Sequence, residues 1–247
     1  MDNGKSFTNN DLLQLSKSRY TMIEQAVRNG DKKEALKKLG ELREESMMIH
    51  DMFRDWITDT FSRIANRFGN KVVSDIMLET MENLINPLNE LFKAGFRECV
   101  KTTAAIWRSH FSEFELVEDD EKVTFILKPC GSGGKQIEDG KYNKTSGFVR
   151  ISEAQPLTGG HTNCPIYCTH CFCMTKIMLM QGMPFIYVAE KKNGQHTGNC
   201  IFHIYKSPSK VPKKVCREVG QEMMFLLPKT GTISQDDNRE GVSSVGT

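Results

Sequence analysis

The stretch Phe114-Glu115-Leu116-Val117-Glu118-Asp119-Asp120-Glu121-Lys122-Val123-Thr124-Phe125-Ile126-Leu127 divides the chain. Two runs rich in β-branched and aromatic residues flank an acidic turn, which is the pattern of a β-hairpin. Before about Ser112 the apolar residues recur at helical spacing. After it come short strands, glycines and cysteines. The chain therefore reads as α+β: an N-terminal helical bundle packed on a small antiparallel sheet with a cysteine-rich metal site. The expected organisation is a helical region over 1–112, an α+β cysteine-rich metal-binding domain over 113–228 and a disordered tail over 229–247, where Ser, Thr, Gly and Asp dominate.

Working back from the hairpin, the spacing predicts four helices. Asn10 caps the first, which carries Leu12, Leu13, Leu15, Tyr20, Ile23 and Val27 and ends at Asn29-Gly30. Asp31 caps a second that runs from Lys32 to about Arg67 and stops at Gly69, with an apolar stripe of Ile49, Met52, Phe53, Trp56, Ile57, Phe61 and Ile64. Gly40 costs ~1 kcal/mol inside it and marks a candidate bend. A third helix covers Val72 to Leu84. A fourth starts at Pro87, in its first turn, and reaches about Phe111.

Working forward, the second strand of the hairpin runs straight into Lys128-Pro129-Cys130-Gly131-Ser132-Gly133-Gly134. Residues 131–163 are polar and glycine-rich and read as loop, with a short strand at Phe148-Val149-Arg150-Ile151. The segment Cys164-Pro165-Ile166-Tyr167-Cys168-Thr169-His170-Cys171-Phe172-Cys173 follows and holds four of the eight cysteines. Met174 to Met180 reads as a short helix. Two strands, Pro184 to Val188 and Cys200 to Tyr205, are joined at Lys192-Asn193-Gly194.

Thiols this dense, in a chain whose N-terminus has no signal-like apolar core, point to a reducing, cytoplasmic setting and to metal or chemistry rather than disulfides. The gaps suit zinc or, as the alternative, an iron–sulfur cluster. Cys164-x3-Cys168-x2-Cys171 has the spacing by which radical SAM enzymes hold a cluster. Too little chain follows Cys171 for the barrel those enzymes need. Gly131-Ser132-Gly133-Gly134 lacks the Lys-Ser/Thr of a phosphate-binding loop and reads as a tight turn. Cys130, delivered by its strand to one end of the sheet, joins Cys168 and Cys171 as expected zinc ligands. Cys164 or His161 is the expected fourth, and His170 is a further candidate. Zinc would polarise a substrate or activate a water, with His170, His161 or Cys164 moving protons. Trp107, Arg108 and His110, at the end of the fourth helix, are the expected pocket wall. His50, Asp51 and Asp55 beside the apolar stripe read as ordinary helix residues.

The pieces Cys164-Pro165, Tyr167-Cys168, Gly182-Met183-Pro184 and Cys200-Ile201-Phe202-His203-Ile204-Tyr205-Lys206 resemble the L-2-amino-thiazoline-4-carboxylate hydrolase and vinyl reductase domain families. That resemblance implies an α+β domain binding a small organic molecule near its cysteines.

The formal net charge of +2 gives no overall electrostatic case for nucleic acid. No apolar run approaches the ~20 residues of a membrane span. The expected function is a zinc enzyme acting on a small organic substrate, hydrolase- or lyase-like. The alternatives are a non-catalytic zinc-stabilised ligand sensor or adaptor, or an iron–sulfur redox protein. The expected partner is a small-molecule substrate, with no nucleic acid and no membrane, and with homo-oligomerisation left open.

Overall fold

The computed structural model describes residues 6–88, 94–143, 147–191 and 199–221. The expected tail, the turn at 192–194 and the start of the expected fourth helix around Leu91 and Phe92 lie outside the described residues.

The first expected helix is two. Helix α1, Asn9–Ser16, is capped by Thr8, whose side chain takes the Asp11 N–H while Asp11 takes the Thr8 N–H. This reciprocal box fixes the start two residues earlier than Asn10 would. Ser18 then accepts the Thr21 N–H and starts α2, Arg19–Arg28, so two capping hydroxyls override a continuous apolar spacing. Helix α3 covers Lys32–Ile85 and begins at Asp31, as expected. Its backbone leaves helical geometry at Gly69, φ 82°, where the sequence places the boundary between the second and third helices. Gly40 keeps helical backbone, so the break falls at Gly69 alone. Pro87 lies in a short 3-10 turn, Asn86–Leu88. Helix α4 starts only at Phe96, after Gly95 at φ 103°, and runs to Ser109.

The sheet is fully antiparallel, in the order β1-β2-β6-β5, with β1 Phe114–Glu118, β2 Lys122–Leu127, β5 Ile186–Lys191 and β6 Cys200–Tyr205. Asp119 closes the β1–β2 turn by accepting the Glu121 and Lys122 N–H groups. Its hydrogen bonds with Lys122, then those backbone donors, lower its pKa to about 2. Inward residues meet across β2 and β6 in register: Val123 opposite Ile204, Phe125 opposite Phe202, Leu127 opposite Cys200. Burying each phenylalanine there contributes roughly 2–3 kcal/mol.

The expected loop 131–163 holds more structure than its composition suggests. Helix α5, Gly133–Glu138, starts inside the glycine turn. Strand β3, Arg150–Ile151, pairs with β4, Cys164–Pro165. Helix α6, Thr169–Met180, begins five residues before the expected Met174, so His170, Cys171 and Cys173 are helical. It is buried nearly all round, because its cysteines pack as small apolar residues on both sides. It also covers the open edge of β5: the Tyr187 N–H donates to Met178 Sδ and the Ala189 N–H to Thr175 Oγ1. A short helix, α7 Lys213–Glu218, closes the described chain.

Helix α3 meets α5 and the turn after it through a polar seam. Arg54, Thr58 and Ser62, one turn apart, are buried. Arg54 pairs with Asp51 and Asp55, each at 3.0 Å. Gln136 donates to Asp55 Oδ1 and Thr58 Oγ1, and Tyr142 donates to Gln136 Oε1. The Val149 N–H donates to Ser62 Oγ. No helix among the described residues is long and apolar enough to cross a membrane.

Candidate functional site

A cavity of about 440 Å3 lies between α3, α4, α6 and the inner face of the sheet. Four methionines, Met77, Met81, Met174 and Met178, give it adaptable walls. Phe61, Ile106, Phe202 and Ile204 add to the apolar lining. Polar atoms gather where the glycine turn meets the first turn of α6.

That turn is built for close approach. A Cβ on Gly131 would lie 1.7 Å from the His110 carbonyl oxygen, so only glycine lets the turn rest on the end of α4. The Gly131 N–H donates to Ser112 Oγ at 2.8 Å and holds it there. A Cβ on Gly133 would lie 2.7 Å from Cys168 Sγ, so a second missing side chain brings the turn against the cysteine segment. The Gly134 N–H donates to Cys130 Sγ at 3.0 Å.

Cys130, Cys168 and Cys171 share this wall with His170, Trp107 and His110, which brings together six of the expected site residues. The backbone oxygen of Tyr167 can only accept, so His170 donates to it from Nδ1. In the neutral ring Nε2 is then an acceptor, and it stands 3.5 Å from Cys171 Sγ. A thiol beside an imidazole of that tautomer can hand over its proton. The Tyr187 hydroxyl hydrogen-bonds Cys171. Burial, then the neighbouring thiols Cys171, Cys200 and Cys130, holds that phenol well above its ordinary range.

Other expected residues stand apart. Arg108 is exposed and does not line the cavity, because its position on α4 faces away from Trp107. Cys164 is fully buried in β4, opposite Ile151, and also lies off the cavity. His161 packs its ring on Phe172, with centroids 5.5 Å apart, rather than joining the thiols. Cys173 falls on the opposite side of α6 from Cys171, among Val73, Met77 and Ile166. Burial pushes the Cys173 and Cys99 thiols up to about 12, so both stay protonated.

Among the described residues, no group of three or more His, Cys, Asp or Glu side chains stands where it could hold a metal ion.

One buried polar atom of the cavity residues, Trp107 Nε1, has no hydrogen-bond partner. Burial, then repulsion that would arise between its protonated ring and those of His50 and His170, lowers the pKa of His110. Sequence reasoning missed Ser132, Tyr167 and Tyr187 as cavity residues. Ser132 stood in plain view inside the glycine turn. The two tyrosines carry no spacing signal, since chain topology alone brings them here. Comparison of the chain with protein-family models, with curated proteins and with solved structures returned no match.

Proposed function

We propose that the protein binds a small, largely apolar organic molecule in this cavity and acts on it at the polar end. The supporting observation is the pairing of an apolar enclosure with an unpartnered buried donor, Trp107 Nε1. A buried polar atom without a partner costs roughly 1–3 kcal/mol, which a ligand carbonyl or carboxylate can relieve. The volume lies within the usual range of ligand pockets. Trp107 is also a built-in reporter, because the only other tryptophan, Trp56, is largely exposed. In a Trp56→Phe protein, titration with decanoate should change Trp107 emission saturably, and Met178→Trp should block it by filling the cavity. An unsaturable response, or one unchanged by Met178→Trp, would remove the cavity as the binding site.

Zinc held by Cys130, Cys168 and Cys171 is the second reading, favoured by their sharing one wall. It requires the side chains to turn toward one another. Elemental analysis of reduced protein decides it: about one zinc per chain, lost in Cys168→Ser, would carry this reading.

Association of two copies completes the proposal. On α3 the residues Met48, Ile49, Met52, Phe53 and Trp56 form an apolar stripe that faces water, with Trp56 65% exposed. With Leu36 and Leu39 they leave on the order of 800 Å2 of apolar surface uncovered, about one partner's share of a standard interface. Two such stripes laid antiparallel would cover apolar surface with apolar surface around a two-fold axis. Light scattering should show a dimer at micromolar concentration and a monomer for Phe53→Asp/Trp56→Asp. A monomeric wild-type chain would end this part of the reading.

A further inference from the structure

We propose that Ser132, His50 and Asp51 form a serine-based hydrolytic centre facing this cavity, for esters or thioesters with an apolar acyl group. This rests on the cavity being a ligand site.

The geometry is a relay of three side chains. Asp51 Oδ1 lies 3.0 Å from His50 Nδ1, and His50 Nε2 lies 3.1 Å from Ser132 Oγ. A carboxylate can only accept, so in the neutral ring Nδ1 carries the proton and Nε2 accepts from the serine hydroxyl. This is the tautomer a general base needs. His50 and Ser132 are 82 positions apart, so helical proximity does not explain their meeting. Ser132 belongs to the cavity wall and is 5% exposed. Its hydroxyl is also hydrogen-bonded to Tyr167.

Both ends of the relay are fixed. Gly131 packs on the His110 carbonyl and donates to Ser112, which sets the position of Ser132. Asp51 is held by Arg54 at 3.0 Å, and Arg54 is itself buried in the polar seam. Asp51 is thus a positioning residue, while Ser132 and His50 touch the reacting atoms. The unpartnered Trp107 Nε1–H in the same cavity can donate to the substrate carbonyl oxygen. The methionine-rich volume suits an acyl chain of roughly ten carbons.

The chemistry balances without a further reactant than water. Ser132 Oγ forms a bond to the carbonyl carbon as its proton passes to His50 Nε2. The tetrahedral adduct expels the alcohol or thiol, which leaves with that proton. Water, deprotonated by His50, then attacks the acyl-serine. The carboxylic acid departs and the Ser132 hydroxyl is restored.

A decyl fluorophosphonate tests this on the full-length protein, since it phosphonylates an activated serine with loss of fluoride. Mass mapping should place the adduct on Ser132. His50→Gln should slow labelling by about 100-fold or more, a typical general-base contribution. Asp51→Asn should lower kcat for p-nitrophenyl decanoate while leaving KM and decanoate binding unchanged. Ser132→Ala, and Ser132→Thr if the alanine variant is unstable, should lose both labelling and turnover but still bind decanoate. Decanoate binding without any adduct on Ser132 would overturn the serine centre and leave the binding site standing. An adduct on Cys171, or turnover that survives Ser132→Ala, would overturn it in favour of the thiol–imidazole pair. Failure of both labelling and decanoate binding would remove the cavity reading along with it.

Discussion

The two ends of α3 obey opposite rules. Toward its C-terminus, and in the sheet and α6, apolar side chains are covered: Phe125, Phe172 and Phe202 are each 2% exposed or less. In α1, α2 and the first half of α3 the apolar side chains face outward, and Ala26 is the one buried residue of α1 and α2. Before Gly69, where α3 touches the body, its buried residues are Arg54, Thr58 and Ser62, and only beyond that break do Val73, Met77 and Ile85 add apolar ones. Apolar periodicity therefore identifies a helix but not which side the rest of its own chain covers. On this helix polar contacts made by the chain and an open apolar face lie back to back.

The comparison can be broken most directly by removing large side chains on each side of it. Phe202→Ala should destabilise by about 3–5 kcal/mol, since Phe202 is fully buried between Trp107 and Tyr187. Trp56→Ala, measured by urea denaturation at a concentration low enough to keep the chain monomeric, should change stability by less than about 0.5 kcal/mol. Equal losses would show that the stripe is covered within one chain.

Charge gives the next contrast. Arg54→Ala should cost about 3 kcal/mol, because it strips Asp51 and Asp55 of their buried partner. Arg63→Ala removes an exposed pair with Asp59 and should cost less than about 1 kcal/mol. Thermal melts of the two variants side by side give the readout.

Two glycines respond to the same substitution with opposite sign. Gly40 has helical backbone and nothing within 4 Å of a new Cβ, so Gly40→Ala should stabilise by up to about 1 kcal/mol. Gly131→Ala places a methyl group on the His110 carbonyl and should instead destabilise and abolish decanoate binding.

The smallest effect is a dependence on pH. The folded pKa of His110 lies below its ordinary value of about 6.5. Between those two values the unfolded chain holds a proton that the folded chain does not. Stability should therefore fall as pH drops through about 6.5 and level off once His110 is protonated in the fold. Denaturation midpoints from pH 7.5 down to 5 should fall less steeply in His110→Phe.

Much of the body was legible in the sequence because its signals are local. The hairpin at 114–127, the strand Cys200 to Tyr205 and the break at Gly69 follow from alternation, turn residues and a single glycine. So did the gathering of Cys130 with Cys168 and Cys171, since a strand delivers one and a single turn holds the others. The start of α6 was misplaced because a run of cysteines carries no helical period of its own. The role of His50 was hidden for a different reason: its partner Ser132 lies on another element. Arg108 shows the converse limit, since its neighbours Trp107 and His110 enter the cavity while its own position on the helix turns it away.

That alternation along α3 also limits how the gene for this protein can change. Ile49, Met52 and Phe53 belong to the outward stripe, while His50, Asp51 and Arg54 belong to the site and the seam. Point substitutions can revise the outward set alone. A one-residue insertion cannot, because it turns everything beyond it by about 100°. Placed between Arg54 and Thr58, it would swing bulky apolar groups into a slot shaped for two small hydroxyls and carry Thr58 and Ser62 out into water. This segment should therefore keep a fixed length even where its outward residues change.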